Sequence, residues 1–247
     1  MGILDYFKRK STDNSEENKT PEIKREPELY TQEEQEMVET FIHRSFGSFS
    51  EVFHEIYSPD IRVDIALIPP SPKREYYKLV TMGMGAHRMT VPEEFRLYGL
   101  ERAELVMFLP PEWKVKSDEE VWRWPVQCMK TCARWPVTNQ AWIGLGQVLR
   151  PGQAMHTQTG SNGFHGFLLQ HAVTEEGSRP EMELKEGTSV HFYQMIPLYE
   201  EEIAVICRSH NPQTILRTFD DADRNYVLNT KRKNYGVPEK EEIRKEG

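Results

Sequence analysis

From Thr31 the polarity of the chain repeats with a helical period. Met37, Phe41, Ile42 and Phe46 fall on one face, and Thr31 followed by Glu34 is a capping-box pair, so the spacing predicts a helix over about 32–45 that stops near Gly47. Phe49, Val52, Phe53, Ile56 and Tyr57 predict a second short helical piece ending at Pro59. The period then changes to two. Ile61, Val63, Ile65 and Leu67 alternate with Arg62, Asp64 and Ala66, which predicts a half-buried strand. A proline loop leads into a second strand, Tyr76 to Met82, so the two read as a hairpin.

Ala103 to Leu109 is a third strand, stopped by Pro110 and Pro111. Asp118 can cap a helix that Pro125 restarts or kinks and Pro136 ends. Trp142 to Leu149 and Phe164 to Val173 read as strands. Val190 to Ile196 reads as a buried strand halted by Pro197, because proline cannot donate to a sheet ladder. Leu198 to Ile206 then reads as a helix with Glu200, Glu201 and Glu202 in its first turn, where the helix dipole favours acids. A last helix spans about 212–219. Strands and helices do not alternate regularly, which favours an α+β fold with a mixed, largely antiparallel sheet packed with several helices.

The organisation predicted is a flexible N-terminal segment over 1–28, one domain over 29–220 and a polar C-terminal tail over 221–247, frayed from about Thr230. Charge sharpens this picture. The chain has 247 residues and net charge −8. Residues 1–30 carry −1 and residues 231–247 carry +2, so residues 31–230 hold −9. An acidic body lacks the basic stripe that nucleic acid requires, so no nucleic-acid partner is expected. It suits a basic protein partner. Three cysteines make no disulfide framework, no apolar run approaches the roughly 20 residues of a spanning helix, and Met1 to Lys10 has no signal-peptide core. The expectation is a cytoplasmic protein with no transmembrane segment.

Candidate chemistry is sparse. His165 and His171 share a strand face but stand about 20 Å apart by strand rise. No His-Glu-x-x-His pattern occurs. Cys128 and Cys132 lack a second ligand pair for zinc and read as core thiols. The glycines of Met82-Gly83-Met84-Gly85 read as a bulge or a close backbone approach, since no helix with a third glycine follows. Gly160-Ser161-Asn162-Gly163 reads as a loop between strands. Adjacent acids on a helix point about 100° apart, so Glu200, Glu201 and Glu202 cannot face one substrate together. No catalytic residue, metal site or cofactor is implied.

Several pieces in order resemble the suppressor of fused domain family. They are the strand Tyr76 to Gly83, the strand Glu104-Leu105-Val106-Met107-Phe108-Leu109-Pro110 with Trp113 after it, and Trp124-Pro125. Trp142-Ile143-Gly144-Leu145-Gly146, Phe167-Leu168-Leu169 and Ile196-Pro197-Leu198-Tyr199-Glu200-Glu201-Glu202 complete the set. The resemblance implies a non-enzymatic protein-binding module, of the stand-alone bacterial type, in toxin immunity or regulatory sequestration. Trp113, Trp142, Tyr199, Glu200 and Glu201 are the candidate partner-binding residues, because exposed aromatics and acids at a rim are what a protein interface uses. Two rival readings remain. One is an enzyme using His87, His156 or His165 with the acids, and the other is a scaffold docked on a membrane surface through residues 1–10.

Overall fold

The computed structural model describes residues 26–152, 163–185 and 187–238. The predicted N-terminal segment up to residue 25, the loop around Gly160 to Asn162, and His156 lie outside these residues. In chain order the elements are α1 (Gln32–Phe46), β1 (Glu51–Phe53), β2 (Asp64–Ile68), β3 (Tyr77–Met82), β4 (Arg102–Leu109), α2 (Glu120–Asn139) and β5 (Val148–Leu149), followed by β6 (Phe164–His171), β7 (Glu181–Glu183), β8 (Ser189–Tyr199), α3 (Glu200–Ser209) and α4 (Gln213–Leu216). Short 3-10 turns cover Met84–Ala86 and Glu93–Tyr98.

One sheet of eight strands organises the chain, in the order β1-β2-β3-β4-β8-β6-β5, with β7 also paired to β8. β1 to β4 form an antiparallel meander. β4 and β8 then pair in parallel, Arg102↔Val190 through Val106↔Gln194, and β8 pairs antiparallel with β6. This is the α+β, largely antiparallel architecture predicted by the irregular element order.

Both faces are covered. On one, Trp124, Cys128, Met129, Cys132 and Ala133 of α2 pack on Ile65, Leu79, Leu105, Met107, Tyr193 and Met195. On the other, Val38, Phe41, Ile42 and Phe46 of α1 meet Ala66, Val80, Val106, Phe108 and Phe192. Phe192, Ile196 and Leu198 share a face of β8 by strand alternation. Further along it, Ile203 and Ile206 of α3 and Ile215 and Leu216 of α4 cover Ile196 and Leu198. β2 is therefore buried on both sides and not half-buried, with Ile65 and Leu67 in one core and Ala66 and Ile68 in the other.

α1 has the predicted boundaries. Thr31 Oγ1 accepts from Glu34 N, Glu34 Oε2 accepts from Thr31 N, and Gly47 closes the helix at φ 115°. α2 differs from expectation. It runs unbroken through Pro125, and Pro136 falls in its last turn, with Gln140 closing it in the left-handed conformation.

Four further expectations are corrected. Residues 49–57 are not helical. Glu51–Phe53 is an edge strand on β2, and the backbone beyond it is taken by acids: Asp64 Oδ1 accepts from Glu55 N at 2.8 Å and Glu55 Oε2 from Val63 N at 3.0 Å. Ile56 is fully exposed, so the apolar positions of that stretch never shared a face. Trp142 to Gln147 is a turn-containing loop, and only Val148 and Leu149 are strand. A left-handed Gly146 bends the chain there, and a Cβ on Gly144 would stand 2.7 Å from the Trp142 ring.

Pro197 does not stop β8, which continues to Tyr199. β4 accompanies β8 only as far as Val106↔Gln194, so past that point β8 has a strand on one side only and tolerates a residue without an N–H. Finally, the polar segment beyond residue 220 packs into the fold, and the stretch from Thr230 to residue 238 is not frayed. Leu228 N donates to Phe108 O, Gln194 Nε2 donates to Tyr226 O, and Phe219, Asp223, Leu228 and Arg232 are buried. The segment fills the gap where β4 and β8 part.

Candidate functional site

A concavity opens beside the free edge of the sheet. Among the described residues β1 pairs only with β2. Against its other side lie the loop that follows β4 and the first turns of α2. The loop is short and self-bonded, with Trp113 N donating to Pro110 O and Val115 N to Trp113 O. It buries Trp113, whose Nε1 donates to Trp122 O at 2.9 Å. Trp113 meets Trp122 edge-on at 5.1 Å and Trp124 edge-on at 6.1 Å, the aromatic geometry that ring quadrupoles favour. Lys114 Nζ stands 5.2 Å over the Trp122 ring.

The resulting cleft has a volume of about 380 Å³. Its floor is apolar, built from Phe53, Leu79, Leu109, Trp113, Trp122 and Val126. Its rim is largely cationic, with Lys116, Arg123 and Lys130 set against Asp118. Lys116 pairs with Glu51 of the edge strand at 2.8 Å. Arg123, Val126 and Lys130 recur at i, i+3 and i+7 and so share one side of α2. Burial holds the Lys130 amine below its ordinary range, against the pull of Glu55 and Asp64.

Of the predicted residues, only Trp113 lies in this cleft, and at 7% exposure it is part of the floor. Trp142 is buried elsewhere in the same core, against Phe95 at 5.6 Å. Tyr199, Glu200 and Glu201 sit at the far end of β8, and the acids of that turn diverge as helix geometry requires. Glu200 makes a forked pair with Arg150 at 2.6 and 2.9 Å. Glu201 accepts from Asn234 Nδ2 at 2.6 Å, and this hydrogen bond, with His165 close by, lowers its pKa.

Glu202 is the acid that turns inward. It is fully buried and forms a forked pair with Arg232, at 2.5 Å to Nη1 and 2.6 Å to Nη2. Arg232 Nη2 also donates to Pro197 O at 2.8 Å, while Tyr199 N and Tyr235 N donate to the Glu202 carboxylate. Four rings, Phe164, Tyr199, Phe219 and Tyr235, surround the guanidinium at 4.8–5.6 Å. Burial raises the Tyr199 phenol, with Arg232 opposing. Tyr199 is thus a wall of an internal clasp that fastens the C-terminal segment.

The glycine turn after β3 is the predicted close approach. Gly83 has φ 117°, and a Cβ there would lie 1.9 Å from Arg62 O. Gly83 N and Gly85 N donate to Glu104 Oε1 at 2.9 and 3.0 Å, Tyr30 donates to the same oxygen, and Thr81 Oγ1 donates to Oε2 at 2.6 Å. A backbone cradle of the kind that binds anions is filled here by the chain's own carboxylate. Burial pushes Glu104 up to about 7, with these four donors pulling the other way. Burial, followed by the Glu104 charge, raises the Tyr30 phenol.

His87 pairs with Glu28, whereas His165 bonds to Gly163 O and lies by Glu201, so these two histidines serve different local contacts. Among the described residues no group of three His, Cys, Asp or Glu is placed to hold a metal ion. Burial raises the Cys128 thiol to about 12 and raises Cys132 as well. No described helix is long and apolar enough to cross a membrane.

Sequence reasoning missed Trp122 with Arg123 and Lys130, Glu104, and the Glu202–Arg232 pair. A signal for Glu104 was present, as the one acid inside the apolar run Ala103 to Leu109. For Arg232 the signal was the aromatic residues Phe219, Tyr226 and Tyr235 spaced through an otherwise polar segment.

Comparison with known proteins agrees with this architecture. A family model described as Suppressor of fused protein (SUFU) matches residues 59–233. An uncharacterized protein of Ureaplasma parvum serovar 3 is 24% identical over 209 residues, spanning 83% of this chain and 97% of that protein. Among solved structures, a SUFU homolog from Neisseria gonorrhoeae FA 1090 superposes with a TM-score of 0.56 at 15% identity, over 85% of this chain and 100% of that one. A chain of a Sufu–Fu complex superposes with a TM-score of 0.55 at 13% identity, over 85% of this chain and 93% of that one.

Proposed function

The chain belongs to the suppressor of fused family, and from that premise we propose that it is a non-enzymatic module that binds another protein. The observation that carries this reading is the cleft at the sheet edge, where the buried Trp113 and half-buried Trp122, a strand edge unpaired among the described residues, and charged side chains meet. Aromatic anchors ringed by charge are the usual composition of a protein-binding hot spot. The related fold in the Sufu–Fu complex, which is a protein–protein assembly by its name, supports the same reading.

The finer reading is sequestration of one specific partner, as in immunity against a toxin. The net charge of −8 gives the molecule a long-range field that speeds encounter with a basic protein. Affinity capture from the source cell, washed at two salt concentrations, tests the proposal. A single protein retained in stoichiometric amount is the expected result. Recovery of none at either salt concentration would sink the binding reading. Co-expression with the captured protein then tests sequestration, since the partner's toxicity or activity should fall only when this chain is present.

A further inference from the structure

We propose that the cleft between β1 and α2 takes an extended acidic segment of the partner, added to the sheet as a strand along the free edge of β1, with one large apolar side chain flanked by two carboxylates. This rests on the protein-binding reading and names the site and the chemistry it selects.

Three observations converge. First, Val52 and Phe53 of the edge strand line the cleft, and among the described residues no strand pairs their outer side. A strand edge with open N–H and C=O groups is the template for β-strand addition. Second, the floor formed by Phe53, Leu79, Leu109, Trp113, Trp122 and Val126 offers a place for an apolar side chain. Third, the half-buried Lys130 stands at the wall with no hydrogen bond or ion pair to a described carboxylate, while most of the other buried or half-buried cations, such as Lys78, Arg102, Arg134 and Arg232, are paired; Arg123, exposed on the same side of α2, also has no ion pair to a described carboxylate. Half-burying an unpaired amine, as at Lys130, is costly, and an incoming carboxylate relieves that cost.

Geometry sets the spacing. Seven residues of helix separate Arg123 from Lys130 by about 10 Å along the axis. In an extended segment, residues i, i+2 and i+4 point the same way and span about 13 Å. Long, flexible arginine and lysine arms absorb the difference. The pattern selected is therefore acid-x-apolar-x-acid, with the central side chain over Trp113 and Trp122. The cationic wall is a local exception in an acidic molecule, so the long-range field favours a basic protein while the cleft selects an acidic segment upon it.

The test uses the full chain and three fluorescein-labelled nonapeptides in an anisotropy titration. The first is Gly-Ser-Glu-Ser-Phe-Ser-Glu-Ser-Gly, the second replaces both Glu by Lys, and the third replaces Phe by Ala. The first should bind, and raising salt from about 50 to 500 mM should weaken it, as screening of ion pairs requires. The Lys and Ala peptides should bind at least tenfold more weakly. Arg123→Glu with Lys130→Gln, which sets no new acid beside Glu55 and Asp64, should keep the wild-type urea midpoint and shift the preference toward the Lys peptide. Equal binding of the three peptides, no binding of the first, or an unchanged preference in the double variant overturns the assignment. If that double variant still retains the wild-type partner in the capture experiment, the protein-binding reading stands and only this cleft is refuted.

Discussion

Replacing Arg232 by methionine removes the cation from a closed polar cluster while keeping most of the side-chain volume. Three consequences follow from the geometry. The Glu202 carboxylate, fully buried, loses both guanidinium donors of its forked ion pair. Pro197 O loses its donor. Four aromatic rings exchange a guanidinium for a thioether, which remains a favourable neighbour. Removing one partner of a buried pair costs about 3–5 kcal/mol, mostly because the other charge is left without compensation. Methionine leaves little cavity, so Arg232→Met should cost about 4 kcal/mol, a large share of the roughly 5–15 kcal/mol of a typical domain. Arg232→Lys keeps the charge but not the planar fork, and should fall between. Combining Arg232→Met with Glu202→Gln neutralises the orphaned acid, so the double variant should be more stable than the sum of the single changes. Urea unfolding followed by far-ultraviolet circular dichroism at neutral pH measures all five proteins, the wild type and Glu202→Gln alone included. A loss below about 1 kcal/mol for Arg232→Met would refute the clasp as a structural lock and return residues 221–238 to the status of a dispensable tail.

Other outcomes follow from the same structure. Glu104 has its carboxyl raised from the ordinary 4.5 to about 7, so its contribution to stability is full below about 4.5 and is lost as pH climbs through 7; the slope amounts to about 3 kcal/mol, and Glu104→Gln should flatten it in urea titrations across that window. Gly83→Ala drives a Cβ into Arg62 O at a left-handed backbone and should cost several times the roughly 1 kcal/mol of Gly99→Ala, which is also left-handed but meets nothing within 4 Å, as paired thermal melts will show. Cys207 is exposed while Cys128 and Cys132 are buried with raised pKa values, so Ellman's reagent should modify one thiol per native chain quickly and the other two only in denaturant.

Local signals in the chain proved reliable where a local cause settles the outcome. The capping box at Thr31 and Glu34 placed α1, and the apolar runs Tyr76 to Met82 and Ala103 to Leu109 placed two central strands within a residue. The failures share another cause. Pro197 reads as a strand stop only if the strand is assumed to have neighbours on both sides, and β4 has already turned away there. Glu55 and Asp64 serve backbone groups across a turn, which no helical period at Phe49 to Tyr57 reveals. The C-terminal segment looks polar because its burial rests on one arginine, one aspartate and scattered aromatics brought to a gap between strands. The cleft was half legible: Trp113 stood out, but its partners Trp122, Arg123 and Lys130 acquire meaning only once α2 lies across the edge of β1.

Partner binding at the β1–α2 edge, as proposed for this family member, would leave its mark on amide exchange. Hydrogen–deuterium exchange of the chain, alone and with its captured partner, tests it directly. Amides of residues 50–54 and 113–130 should slow on binding, with those of β1 slowed most because they gain strand hydrogen bonds. Protection confined to other surfaces, with β1 exchanging at its free rate, would contradict it.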